Sequence, residues 1–237
     1  MKKTNIFKTL AVAAAMMFTA QNANAQLEQS VFLQGGLPTA DFNSKVSSFN
    51  GLFGKEDIAK DVSLGLGLGY RCGYLFDIGF GEVMPFVSAD LFWNRTNGTY
   101  RDDFMNAGYK VPNYINVAPM LGVNYRYGLT DIITVFGEFG VGYDAFLITA
   151  EGSKGESSTY YKYKTTGALA WQVGVGSYFG RHVSLGIHYY GLGRHYISYN
   201  GKRSTFNGTA INDIPSFDNT NEGRNLGTLA LRIGFHF

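Results

Sequence analysis

In this chain of 237 residues basic and acidic side chains nearly balance, 20 Lys plus Arg against 18 Asp plus Glu, and three of the lysines (Lys2, Lys3 and Lys8) lie within the first eight residues. Without those three the formal charge passes from +2 to −1, so no basic surface with interleaved aromatics recommends nucleic acid as a partner. Cys72 is the single cysteine, which excludes an intrachain disulfide and leaves a metal or redox role without the partners it needs.

The chain begins with those lysines, continues through an apolar run from Leu10 to Ala20, and then reads Ala23-Asn24-Ala25. Small residues at the two positions a signal peptidase reads predict a leader, 1–25, cut before Gln26, because the apolar run is too short to span a bilayer. Residues 26–237 then form one domain, with neither a linker nor a solenoid repeat to divide it.

Abundant Gly, Tyr and Phe, only five prolines, and no sustained helical period point to an all-β chain. Eight strand-like segments follow in order. They run from Ser30 to Gly36, Val62 to Phe76, Val83 to Thr96, Asn113 to Tyr127, Ile132 to Thr149, Tyr163 to Phe179, Val183 to Tyr199 and Gly223 to Phe237. The last contains "TLALRIGFHF", in which Leu229, Leu231, Ile233, Phe235 and Phe237 alternate with Thr228, Ala230, Arg232, Gly234 and His236. A period of two gives that strand one wholly apolar face and one polar face.

The connections alternate in length. "DIGFGE", "GLTD" and "GRH" are tight, whereas four others are long and polar, including "EGSKGESSTY" and "NGKRSTFNGTAINDIPSFDNTNE". An eight-stranded antiparallel up-and-down transmembrane β-barrel has this form, with short periplasmic turns, long external loops and, for an even strand number, both termini periplasmic. Lysine usage separates it from a soluble barrel that turns its apolar face inward. All eight lysines after the leader, at 45, 55, 60, 110, 154, 162, 164 and 202, fall in or at the edge of long connections, and a lipid-facing wall excludes lysine at a cost of about 2–4 kcal/mol near the midplane. Outer-membrane lipid is therefore the expected partner of the apolar face. Parity assigns that face to Val62, Leu64, Leu66, Leu68 and Tyr70 on the second strand and to matching sets on the others.

The opposite parity lines the lumen. Arg71, Asp90, Arg126, Glu138, Asp144, Arg194 and Arg232 are the expected ionic network, joined by Asn124, His188 and His236. Eight strands enclose a bore that side chains fill, and buried ions must pair. Arg71, Glu138 and Arg232 come out at one level when residues are counted from the short-turn ends, one carboxylate between two guanidinium groups.

With its leader, eight alternating strands, the opening "GGLPTADFN" at Gly35 to Asn43 and the terminal Phe237, the chain resembles the small outer-membrane β-barrel proteins of the OmpA/OmpX type. The resemblance implies that the final aromatic, with Phe235 two residues before it, belongs to the signal read by the barrel-assembly machinery. It implies a monomer and names no activity.

Sharper motifs do not hold. "GLGLGYRCG" is a strand with no helix after it, unlike a nucleotide loop. "DNTNEG" lacks the twelfth-position Glu of a calcium loop, since Leu229 stands there. His188 and His195, seven apart, fall on opposite faces of one strand and share no metal. His195 with Ser198 lacks a local acid for nucleophilic catalysis, and only about four residues separate the leader from the first strand, too few for the amphipathic helix of a lipid-A acyltransferase. No cofactor is implied and the chain reads as a non-enzyme. A structural or surface-interaction barrel stands first. Its later strands run past the ~9–11 residues a span needs, and Tyr160, Tyr161 and Tyr163 in "TYYKY" offer contacts to an external partner. A narrow small-solute porin is the alternative, ahead of a lipid-modifying enzyme.

Overall fold

A sheet whose strands alternate apolar and polar side chains can separate its two faces and still pair every backbone group only by closing on itself. The computed structural model, which describes residues 25–43, 62–96, 98, 101–102, 111–149, 159–163, 165–197, 199–203, 205–206, 209–210 and 222–237, has that architecture. Its strands are β1 (Ala25–Ala40), β2 (Gly65–Asp77), β3 (Glu82–Arg95), β4 (Asn113–Gly128), β5 (Ile133–Thr149), β6 (Thr159–Tyr163), β7 (Thr166–Phe179), β8 (Val183–Ile197), β9 (Tyr199–Arg203), β10 (Thr205–Phe206), β11 (Thr209–Ala210) and β12 (Glu222–His236). Eight of them close a barrel in the order β1-β12-β8-β7-β5-β4-β3-β2, and every neighbouring pair is antiparallel.

The register fixes the geometry of the bore. From Gln29, the paired residues Cys72, Val87, Leu121, Val141, Trp171, Gly191 and Gly227 lead round the barrel to Thr39, back on β1. That stagger of ten residues across eight strands sets a tilt of about 40° at ordinary strand spacings. Leu66, Leu68, Leu169, Val175, Leu231 and Phe235 face outward. Phe32, Phe86, Phe92, Phe146 and the buried charges face inward.

Three local features differ from the parity reading. β1 begins at Ala25, so no stretch separates the expected cleavage point from the sheet. Val62, expected on the outer wall, is buried and bridges to Thr96 inside the long-connection end, because it precedes the first residue of β2. The largest departure is in β8, whose pairing with β12 steps from Gly227↔Gly191 to Leu226↔Gly193 and leaves Leu192 as an extra residue. Gly193 takes φ +85° there, a conformation glycine adopts without a Cβ clash. Beyond the bulge the parity of β8 is inverted.

The tight connections are hydrogen-bonded turns. Asp77 Oδ1 accepts from the Gly79 amide, and Thr130 Oγ1 from the Ile132 and Ile133 amides. At the other end, β6 pairs with β9 from Thr159↔Arg203 to Tyr163↔Tyr199, a two-stranded ribbon whose strands lie just before β7 and just after β8 in the chain. β10 and β11 make a separate two-stranded pair, so the barrel keeps eight strands.

Candidate functional site

The polar interior brings three sets of charged side chains together at three levels of the bore. At the short-turn mouth, Arg126 on β4 grips Glu28 on β1 with both terminal nitrogens, at 2.7 and 2.6 Å, and lies 4.1 Å from the centre of the Tyr178 ring. This fork-on-carboxylate geometry suits the planar guanidinium. His236 stands beside the pair between two hydroxyls, with Nδ1 2.8 Å from Ser30 Oγ and Nε2 2.7 Å from Ser184 Oγ. Below the pair a vestibule of about 430 Å³ opens between the tight turns.

One level deeper lies the four-charge centre. Glu138 Oε1 accepts from Arg71 Nη2 at 2.6 Å and Arg232 Nη1 at 3.1 Å, while Oε2 accepts from Asn124 Nδ2 at 3.0 Å. Asp90 Oδ1 accepts from Arg232 Nη2 and Gln34 Nε2, both at 2.7 Å. Tyr190 touches Arg232 and donates to Gln34 Oε1 at 2.9 Å. Phe86 and Phe32 cover the guanidinium faces, 4.0 Å from Arg71 and 4.2 Å from Arg232. All four ions are no more than 4% exposed. Burial at that depth costs several kcal/mol per ion unless pairing and hydrogen bonding offset it; two cations against two anions leave the cluster formally neutral. Asn124 ties the two levels together, since its Oδ1 accepts from Arg126 Nε at 3.0 Å.

His188 reaches the same carboxylate, its Nε2 3.0 Å from Glu138 Oε1. It fits because Gly174 faces it across the β7–β8 pairing, where a Cβ would fall 2.0 Å from the imidazole.

Towards the long-connection end the character changes. Phe42, from a 3₁₀ turn at Asp41–Asn43, packs edge-on against Tyr114 and Phe146, within a buried cluster that also holds Phe92, Met120, Leu192 and Leu226. An ionic contact inside this half joins β5 to β8: His195 Nε2 lies 3.0 Å from Asp144 Oδ2 and 2.9 Å from the Leu192 carbonyl, and Nδ1 lies 2.9 Å from Thr166 Oγ1. A proton on Nε2 goes to the Leu192 carbonyl and leaves Nδ1 to accept from the threonine, while the Asp144 carboxylate stands beside the ring without a hydrogen bond of its own. Acid, imidazole and hydroxyl stand in the order a nucleophile needs, but Asp144 and His195 are wholly buried against the apolar cluster.

Of the seven charges expected in the lumen, Arg71, Asp90, Glu138 and Arg232 meet in the centre, Arg126 meets Glu28, and Asp144 meets His195. Arg194 does not join them. The β8 bulge turns it outward, where it is exposed and stacks 5.7 Å over Tyr196. The same bulge brings His195 inward, so His188 and His195 both face the lumen, against the opposite-face reading, yet each contacts a different carboxylate. Phe235 and Phe237 are exposed on the outer side, and the Phe237 backbone exchanges two hydrogen bonds with Gln29. Tyr160, Tyr161 and Tyr163 lie on β6; Ser198 lies outside the described residues.

Two members of the network, Glu28 and Gln34, escape a sequence reading that starts the first strand at Ser30 and assigns it no parity. The alternation of Leu27, Gln29, Val31 and Leu33 with Glu28, Ser30, Phe32 and Gln34 is the signal that finds them.

A family model described as outer membrane protein beta-barrel domain matches residues 10–237. Comparison with curated proteins returns no match. Among solved structures, the chain is similar to a major outer membrane protein from Thermus thermophilus, at 14% identity and TM-score 0.49, covering 90% of this chain and 100% of that one. It is similar to Neisserial surface protein A at 10% identity and TM-score 0.41, covering 90% and 97%. It is also similar to the outer membrane enzyme PagL at 15% identity and TM-score 0.38, covering 86% and 97%. The chain belongs to the outer membrane protein beta-barrel domain family.

Proposed function

We propose that this outer-membrane barrel is a closed, non-enzymatic anchor that presents its long connections at the cell surface for interaction with an external partner. The observation that carries the reading is the filled lumen. The Arg71–Glu138–Arg232–Asp90 centre and the Phe42–Tyr114–Phe146 cluster occupy its successive halves, which argues against a small-solute porin. Catalysis by Thr166 is disfavoured because the imidazole beside it is buried beneath apolar side chains and its Nε2 is committed to the Leu192 carbonyl rather than to the Asp144 carboxylate.

The interaction surface we favour is the β6–β9 ribbon, a two-stranded sheet separate from the barrel and formed by the connections that precede β7 and follow β8. Ribbon edges leave backbone groups free to pair with an extended chain, and Tyr160, Tyr161 and Tyr163 add rings of the kind enriched at binding surfaces. In this reading both termini are periplasmic, Phe235 and Phe237 present the closing strand to the barrel-assembly machinery, and the barrel acts as a monomer.

Protease added to intact cells is expected to cut within 151–164 or 200–224 and to spare the tight turns; cuts confined to the tight turns would reverse the orientation. Deleting 151–164 is then expected to abolish retention of the cells on arrayed extracellular macromolecules while heat-modifiable barrel persists. Retention that survives deletion of each long connection in turn would refute the surface role.

A further inference from the structure

On the outer wall, β1 carries Val31, Leu33 and Leu37 as large outward side chains, but the position between the two leucines is Gly35. A Cβ added at Gly35 would meet nothing within 4 Å. Its partners across the sheet, Leu66 on β2 and Leu231 on β12, stand up on either side. The result is a notch of about 550 Å³ whose flanks are completed by Leu33, Leu91 and Trp93 and whose lining is almost wholly apolar. A large empty volume is not stable against lipid chains, which fill apolar concavities for dispersion energy.

Trp93 forms the edge of the notch nearest the long connections, and Arg95, the last residue of β3, lies 4.6 Å above its ring. The guanidinium is exposed and, among the described residues, makes no ion pair. A cation stacked on an aromatic at the end of an apolar furrow stands where a headgroup sits when a chain lies in the furrow.

We infer that the Gly35 notch and Arg95 form a lipid site, which takes one acyl chain along Gly35 and the phosphate of the same lipid at Arg95. The occupant is a phosphorylated lipid of the outer leaflet, an assignment of leaflet that rests on the orientation proposed above. Arg supplies a planar donor array for phosphate oxygens. The notch adds a chain-shaped apolar surface that an ordinary bulged wall lacks.

Native fluorescence can read this site, because Trp93 and Trp171 are the only tryptophans. In a Trp171→Phe background the barrel is refolded into phosphatidylcholine vesicles doped with either brominated phosphatidic acid or brominated phosphatidylcholine. Brominated phosphatidic acid is expected to quench Trp93 with a relative association constant roughly fivefold higher, the scale of one interfacial cation acting on an anionic lipid. Arg95→Gln is expected to bring that ratio to near one, whereas Arg194→Gln, at an outward arginine of β8 away from the notch, leaves it intact. Gly35→Leu fills the notch without a clash and is expected to lower quenching by both lipids while heat-modifiable migration is retained.

Equal quenching by the two lipids in the parent, or a preference that survives Arg95→Gln, overturns the site. So does quenching that falls with rising protein-to-lipid ratio regardless of headgroup, which would place a second copy of the chain in the notch. Vesicle lipid occupies both leaflets, so this outcome is independent of orientation, which fails or stands in the proteolysis experiment.

Discussion

The two halves of the bore are filled by different chemistry. Near the tight turns, Arg71, Arg232, Arg126, Glu138, Asp90 and Glu28 are cross-connected through Asn124 and Gln34, so removing one member strands several others. Near the long connections, packing of Phe42, Tyr114, Phe146 and Leu192 dominates, and the Asp144–His195 contact is a local feature. Ionic closure is directional and fails abruptly when a charge is lost. Apolar closure degrades in proportion to the volume removed. Such a barrel is held rigidly at one end and capped at the other by a turn that belongs to a long connection.

Four substitutions test that contrast, in descending order of effect. Glu138→Ala leaves Arg71 and Arg232 facing each other without their shared carboxylate, and urea unfolding in vesicles is expected to show a loss of about 3–5 kcal/mol. Phe42→Ala opens a void at the far end and is expected to lose about 3 kcal/mol, without altering protection of amides in the tight-turn half during hydrogen exchange. Gly193→Ala forces a Cβ onto a φ of +85°, 2.3 Å from the Leu169 carbonyl. It is expected to lose about 1–3 kcal/mol in the same unfolding measurement. Arg194→Ala, on the outward side of the bulge, is expected to change stability by less than about 0.5 kcal/mol; a loss as large as that of Glu138→Ala would return Arg194 to the lumen.

Removing Phe237 probes a different step. The deletion is expected to lower the yield of folded, heat-modifiable barrel in cells, with little effect on urea unfolding of the fraction that does assemble. An unchanged yield would mean that the terminal ring has no special part in assembly.

Most of the wall was legible in the sequence because the barrel strands, β8 beyond its bulge excepted, keep a period of two, and because no lysine enters any of them. The same counting brings Arg71, Glu138 and Arg232 to one level from the sequence alone, since tight turns give unambiguous origins for the residue count. It failed where periodicity is interrupted. Nothing in "YYGLGRHY" marks which glycine carries the bulge: Gly191 and Gly193 read alike, and only the pairing with Leu226 and Gly227 distinguishes them. Arg194 and His195 therefore exchange faces. The apolar cap was illegible for a different reason, as Phe42 lies in a connection rather than a strand and its burial depends on the rings of β4 and β5 opposite.

The closed bore is tested most directly by planar-bilayer recording of the purified wild-type barrel beside Glu138→Ala. The wild type is expected to pass no steady current, and the variant to show intermittent leak through a loosened centre. Sustained ohmic conductance by the wild type, unaltered in Glu138→Ala, would contradict a lumen sealed by the Arg71–Glu138–Arg232–Asp90 network.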